Sequence, residues 1–201
     1  MRKSIILAAA LLSLAGLPAF SAKTDPMQEG ARSFERADYP AALAAWRPLA
    51  IQGNPVAQNN LAILYLDGKG VPQNTSEAVR YLSLSAASGS ALGQNNLGGL
   101  YRDGKAVPRD YARAARWFAA SAAQGNSAGM YNLGLMYELG QGMKADAYHA
   151  YMWYALAAEQ NAIPNAAAHR DTLYSRMPAE AQKRAHDLVA ACKSQVYKGC
   201  K

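Results

Sequence analysis

Over residues 55–66 the apolar positions Ala57, Leu61, Leu64 and Tyr65 fall at i, i+4, i+7 and i+8. That spacing draws one apolar stripe along an α-helix. The stretch Asp67-Gly68-Lys69-Gly70-Val71-Pro72 then ends it. Gly68 stands where a helix C-terminus calls for a left-handed residue, and Pro72 cannot continue a helix. Asn74 is a suitable N-cap for a second helix, whose inward face is Ala78, Tyr81, Leu82 and Ala86.

The pattern recurs with a period of 36 residues. NNLAILYLDGKGVP (59–72) returns as NNLGGLYRDGKAVP (95–108), and a third copy aligns behind it. Asn60, Asn96 and Asn132 share a column, as do Tyr65, Tyr101 and Tyr137, and Gly68, Gly104 and Gly140. Asp110 and Asp146 repeat the N-cap role of Asn74. Ala78, Ala114 and Ala150 let two helices approach closely, and Tyr81, Trp117 and Trp153 are bulky enough to fill the space between neighbouring pairs. Three full copies cover residues 53–160. A helix pair cannot bury its stripe alone, but stacked pairs bury it continuously, so this period predicts an all-α solenoid of antiparallel helix pairs.

The flanks change this picture in three ways. Residues 1–21 read as a secretory signal peptide: Arg2 and Lys3, an uncharged apolar run from Ile5 to Leu17, then Ala19 and Ser21 at the cleavage site. The run is too short for a membrane span of about 20 residues, and no later segment is long and apolar enough. Loss of residues 1–21 lowers the net charge from +7 to +5, with the charges scattered except for a cluster near the C-terminal end; export argues against a nucleic-acid role, and the mild basicity suits anionic glycans or lipid headgroups no better than a solvated surface. Cys192 and Cys200, an even pair in an exported chain, are expected to form a disulfide that clips the tail onto the last helix. Upstream, residues 22–52 hold a capping helix pair (27–37 and 38–53). Downstream, 165–177 and 178–194 read as two more helices, with Pro178 as a first helical residue, within a closing segment 161–201.

The columns N-L-G-x-[LM]-Y-x-x-G, present as NLGGLYRDG (96–104) and NLGLMYELG (132–140), and AARWFAASAAQG (114–125) resemble the Sel1-like repeat, a relative of the tetratricopeptide repeat. Copy one carries Ala62 in place of a glycine. Copy three carries Lys144 in place of the linker proline and Asn161 in place of the closing glycine. The resemblance covers roughly residues 30–190. It implies a right-handed superhelix whose first helices line a concave face. The columns implied to face a ligand are Val56, Leu92, Ala128; Asn59, Asn95, Tyr131; Ile63, Gly99, Leu135; and Leu66, Arg102, Glu138. Asn60, Asn96 and Asn132 are open to two readings, an internal bond to the adjacent turn or a contact with ligand backbone.

The resemblance implies an exported scaffold that binds a protein partner through this groove, an adaptor or regulator of the bacterial cell envelope in the periplasm or outside the cell. An alternative is a module for peptidoglycan or another anionic glycan. A third reading, an envelope hydrolase, lacks its motifs. Gly125-Asn126-Ser127-Ala128-Gly129 matches G-x-S-x-G, but a helix rather than a strand precedes it. Cysteine-rich relatives described as β-lactamases carry a disulfide in each repeat, which this chain does not. Isolated His149, His169 and His186 lack metal-ligand spacing, and nothing calls for a cofactor.

Overall fold

The computed structural model describes residues 25–160 and 162–200. The signal peptide read over residues 1–21 and the departure at Asn161 lie outside them. The described residues form ten α-helices and no strand. The capping pair is α1 (Pro26–Glu35) and α2 (Tyr39–Ile51). The repeats are α3 (Pro55–Asp67) with α4 (Thr75–Ala87), α5 (Ala91–Asp103) with α6 (Tyr111–Ala122), and α7 (Ser127–Leu139) with α8 (Ala147–Glu159). The chain closes with α9 (Ala166–Ser175) and α10 (Ala179–Ser194). Each pair packs on itself and on the next, α2 on α3, α4 on α5 and α6 on α7, which is the stacking that the period requires.

Local chemistry repeats with the fold. Gly68, Gly104 and Gly140 end the first helices in the left-handed region, at φ 66°, 69° and 65°. Asn74, Asp110 and Asp146 accept hydrogen bonds from backbone N–H groups of the first turns of α4, α6 and α8. The same three residues donate their backbone N–H to the carbonyls of Tyr65, Tyr101 and Tyr137, at 2.9, 2.9 and 3.0 Å. One backbone bond thus closes every linker. Because it needs no proline, copy three keeps the geometry with Lys144 in place.

The hairpins are held at close range by a small residue facing a large one. A Cβ on Gly98 would lie 2.8 Å from the Phe118 ring, and one on Gly134 would lie 2.8 Å from the Tyr154 ring. The corresponding residues of copy one are Ala62 and Leu82, both fully buried. The methyl that copy one adds on α3 is offset by the smaller side chain on α4, which explains its departure from glycine.

Two expectations for the core need adjustment. Tyr81 and Trp153 are buried, but Trp117 is only half-buried, and Phe118 fills the interior beside it. Tyr65, Tyr101 and Tyr137 are half-buried rather than enclosed. Each packs its ring against the core near the linker, Tyr65 stacking on Tyr81 at 6.0 Å and Tyr137 on His149 at 5.1 Å. A tyrosine at such a seam buries its ring and keeps its hydroxyl near water.

At the C-terminal end α9 and α10 both pack on α8, with no comparable contact between them. With α7 on its remaining side, α8 is enclosed, and Ala150 through Ala157 are buried without interruption. Pro178 sits one residue ahead of α10, at the cap position. Cys192 and Cys200 are bonded, and Tyr197 in the closed loop lies against Gly125.

Two measurements test this packing. Gly99→Ala, on the same helix but with open space around the added methyl, should stabilise the fold by about 0.5–1 kcal/mol, whereas Gly98→Ala should destabilise it. Chemical denaturation of both variants reads the opposite signs. Reduction of the disulfide should destabilise the C-terminal segment by about 2.5 kcal/mol, seen as faster amide exchange in α10 and not in α3.

Candidate functional site

Successive first helices touch, α3 with α5 and α5 with α7, whereas successive second helices make no comparable contact. The first helices therefore lie on the tighter, inner side of the stack. The asparagines on this side form a ladder. Arg102 Nη1 donates to Asn132 Oδ1 at 2.8 Å, and Asn132 Nδ2 donates to Asn95 Oδ1 at 2.9 Å. Asn95 Nδ2 donates to Asn96 Oδ1 at 3.2 Å, and Asn96 Nδ2 to Asn59 Oδ1 at 2.8 Å. Asn59 Nδ2 closes the run on Asn60 Oδ1 at 3.4 Å. Arg102 reaches forward from copy two to Asn132, and from there the amide–amide bonds run donor to acceptor back to Asn60 in copy one.

The invariant column is thus held by neighbouring asparagines and not by the adjacent turn. Asn96 and Asn132 bond to the preceding repeat's residue in the variable column, Asn59 and Asn95. Two neighbouring asparagines per repeat, 59–60 and 95–96, make the ladder continuous. That doublet is visible in the sequence, but only the stacking places residues 37 apart side by side. Asn59 is 3% exposed and lies within the stack, while Asn60, Asn95, Asn96, Asn132 and Arg102 reach the surface in part.

The ladder ends where copy three has Tyr131 in place of asparagine. Tyr131 packs against Tyr154 at 5.4 Å and His169 at 5.5 Å, joining the last repeat to α9. Glu138 accepts from the Tyr154 hydroxyl at 2.6 Å, and His169 Nδ1 stands 3.3 Å from the same carboxylate oxygen. Burial, then the hydrogen bond to Glu138, pushes the Tyr154 phenol far up, so it stays a donor. Tyr131 is also raised, by burial first and the Glu138 charge second. At the other end, Asn60 lines a cleft of about 230 Å³ with Phe34, Glu35, Trp46 and Ile63. Val56 and Leu92 stand exposed along the same helices.

Other candidate chemistry is not assembled. Ser127 opens α7 behind the Asn126 cap and bonds to the Gln160 side chain, with no histidine against it. Among the described residues no group of three or more His, Cys, Asp or Glu side chains is placed to hold a metal ion, and no helix is long and apolar enough to cross a membrane.

The comparisons agree with this architecture. The family model described as Sel1 repeat matches residues 55–90, 91–126 and 127–161. A Sel1 repeat protein from Oxalobacter formigenes superposes with a TM-score of 0.68 at 26% identity, over 81% of this chain and 74% of that one. A protective antigen of uropathogenic Escherichia coli strains, described as displaying an SLR fold, superposes with a TM-score of 0.58 at 26% identity, over 78% of this chain. This chain spans only 42% of that antigen. A search of curated proteins gives no match. With three matched copies over more than half its length and the linker, cap and hairpin geometry repeating in each, the chain belongs to the Sel1 repeat family.

Proposed function

We propose that the inner face is a groove for an extended segment of a protein partner, and that the chain is a non-catalytic scaffold. The observation that carries this reading is the ladder. A carboxamide offers two donor and two acceptor positions. An interior rung such as Asn95 uses one N–H and one lone pair within the ladder, leaving one of each. A row of half-exposed amides with alternating spare donors and acceptors complements a peptide backbone, which carries the same two groups. The ladder also holds these groups in place before a ligand arrives, which lowers the ordering cost of binding.

The ends of the groove supply side-chain selection. The Phe34–Trp46 cleft beside Asn60 takes an apolar side chain, and Glu35 at its rim favours a neighbouring cation. Arg102 and Glu138 place opposite charges near the other end. Export to the periplasm or beyond is consistent with the Cys192–Cys200 bond, since disulfides persist in oxidising compartments. An adaptor or regulator of an envelope complex fits these features. The glycan alternative has less to support it, because the inner face is amide-rich rather than cationic.

A photo-crosslinking residue at Leu135, on the groove, should capture a protein in the native host, while one at Asp187 on α10 should not capture the same protein. Combining Asn95→Ala with Arg102→Ala should abolish the Leu135 crosslink and leave helical circular dichroism unchanged, at a stability cost of about 1 kcal/mol per rung. Retention of the crosslink in the double variant would remove the groove from the binding mechanism.

A further inference from the structure

The three repeats act as internal controls for one position on their second helices. In copy one, Arg80 is bound to both carboxylate oxygens of Glu77, at 2.7–3.2 Å, and lies 4.2 Å over the Tyr81 ring. In copy three the equivalent Met152, Trp153 and Leu156 are buried. Copy two differs in both respects. Arg113 replaces the acidic residue, and Ala120 stands where the other copies carry Leu84 and Leu156. A cleft of about 440 Å³ opens there, lined by Tyr101, Arg113, Arg116, Trp117 and Ala120. None of these residues belongs to the amide ladder.

The lining has a definite chemical bias. Arg113 is 3.2 Å from Asp110 and 3.4 Å from the Tyr101 hydroxyl. Arg116 faces no carboxylate among the described residues and donates only to the Ala112 carbonyl, at 3.4 Å. The walls offer an indole, a phenol ring and guanidinium donors. The one side-chain acceptor, the Tyr101 hydroxyl, already receives Arg113. The several hydroxyls of a sugar would find one remaining side-chain acceptor site between them, the second lone pair of that hydroxyl. An anion with an aromatic body has no such deficit.

We propose that this cleft binds a carboxylate carried beside an aromatic ring, as the C-terminal aromatic residue of a polypeptide presents it. The ring stacks on Trp117, and the carboxylate is held by Arg116 with Arg113 as a second donor. This site is independent of the groove, and either can fail without the other.

The test is NMR of the full chain, following the indole N–H signals. There are three tryptophans, and Trp46 and Trp153 are 3% and 2% exposed, so Trp117 reports alone on the cleft. N-acetyl-L-phenylalanine should shift the Trp117 signal with a dissociation constant on the order of a millimolar, and its amide should bind about tenfold more weakly. Ala120→Leu, which copies the other two repeats and so preserves the fold, should abolish the shift. Arg116→Gln should weaken it about tenfold with unchanged circular dichroism. Absence of a shift at 10 times the expected constant, on the order of ten millimolar, overturns the proposal. Equal binding of the amide overturns it, as does binding of N-acetylmuramic acid at least as tight as that of N-acetyl-L-phenylalanine. Binding that survives Ala120→Leu overturns it too.

Discussion

The separation between the two helices of each hairpin is the constraint on which the rest of this structure depends. It is set by one column of small residues, Ala62, Gly98 and Gly134, against one column of larger ones, Leu82, Phe118 and Tyr154. The columns vary together, so each hairpin keeps a close approach with different side chains. A constant hairpin is what allows hairpins to stack, and the stack in turn brings residues 37 apart into hydrogen-bonding distance. The ladder is therefore a consequence of core packing along the same helices.

Regularity and individuality are divided between parts of the repeat. The linker bond, the left-handed glycine and the N-cap recur in all three copies, because the backbone path must be the same each time. Differences collect where packing leaves room. Tyr131 ends the ladder and hands the stack to α9, Ala120 opens a cleft on α6, and Leu156 is enclosed by the closing helices. Each departure is one or two side chains on a common frame, the arrangement by which a repeat array acquires recognition without changing its fold.

The ends of the array face a different problem, since the last apolar surface has no further repeat to cover it. Trp46 covers one end from α2, donating its indole N–H to the Met27 carbonyl at 3.3 Å. At the other end α9 and α10 enclose α8 from two sides, and the disulfide ties the tail to α10.

Much of this was present in the sequence. The 36-residue period, the stripes at helical spacing, the glycine stops and the asparagine and aspartate caps specified the six helices α3 to α8 and the order in which they pair, because each is a local signal repeated three times. Burial was legible for the column Ala78, Ala114 and Ala150, which is fully buried in all three copies. It was not legible for Trp117, since whether an aromatic is enclosed depends on what the neighbouring hairpin places above it. The partners of the asparagines were likewise beyond the sequence. A carboxamide bonds a turn, a ligand or another carboxamide equally well, and only the spacing between adjacent first helices selected the last of these.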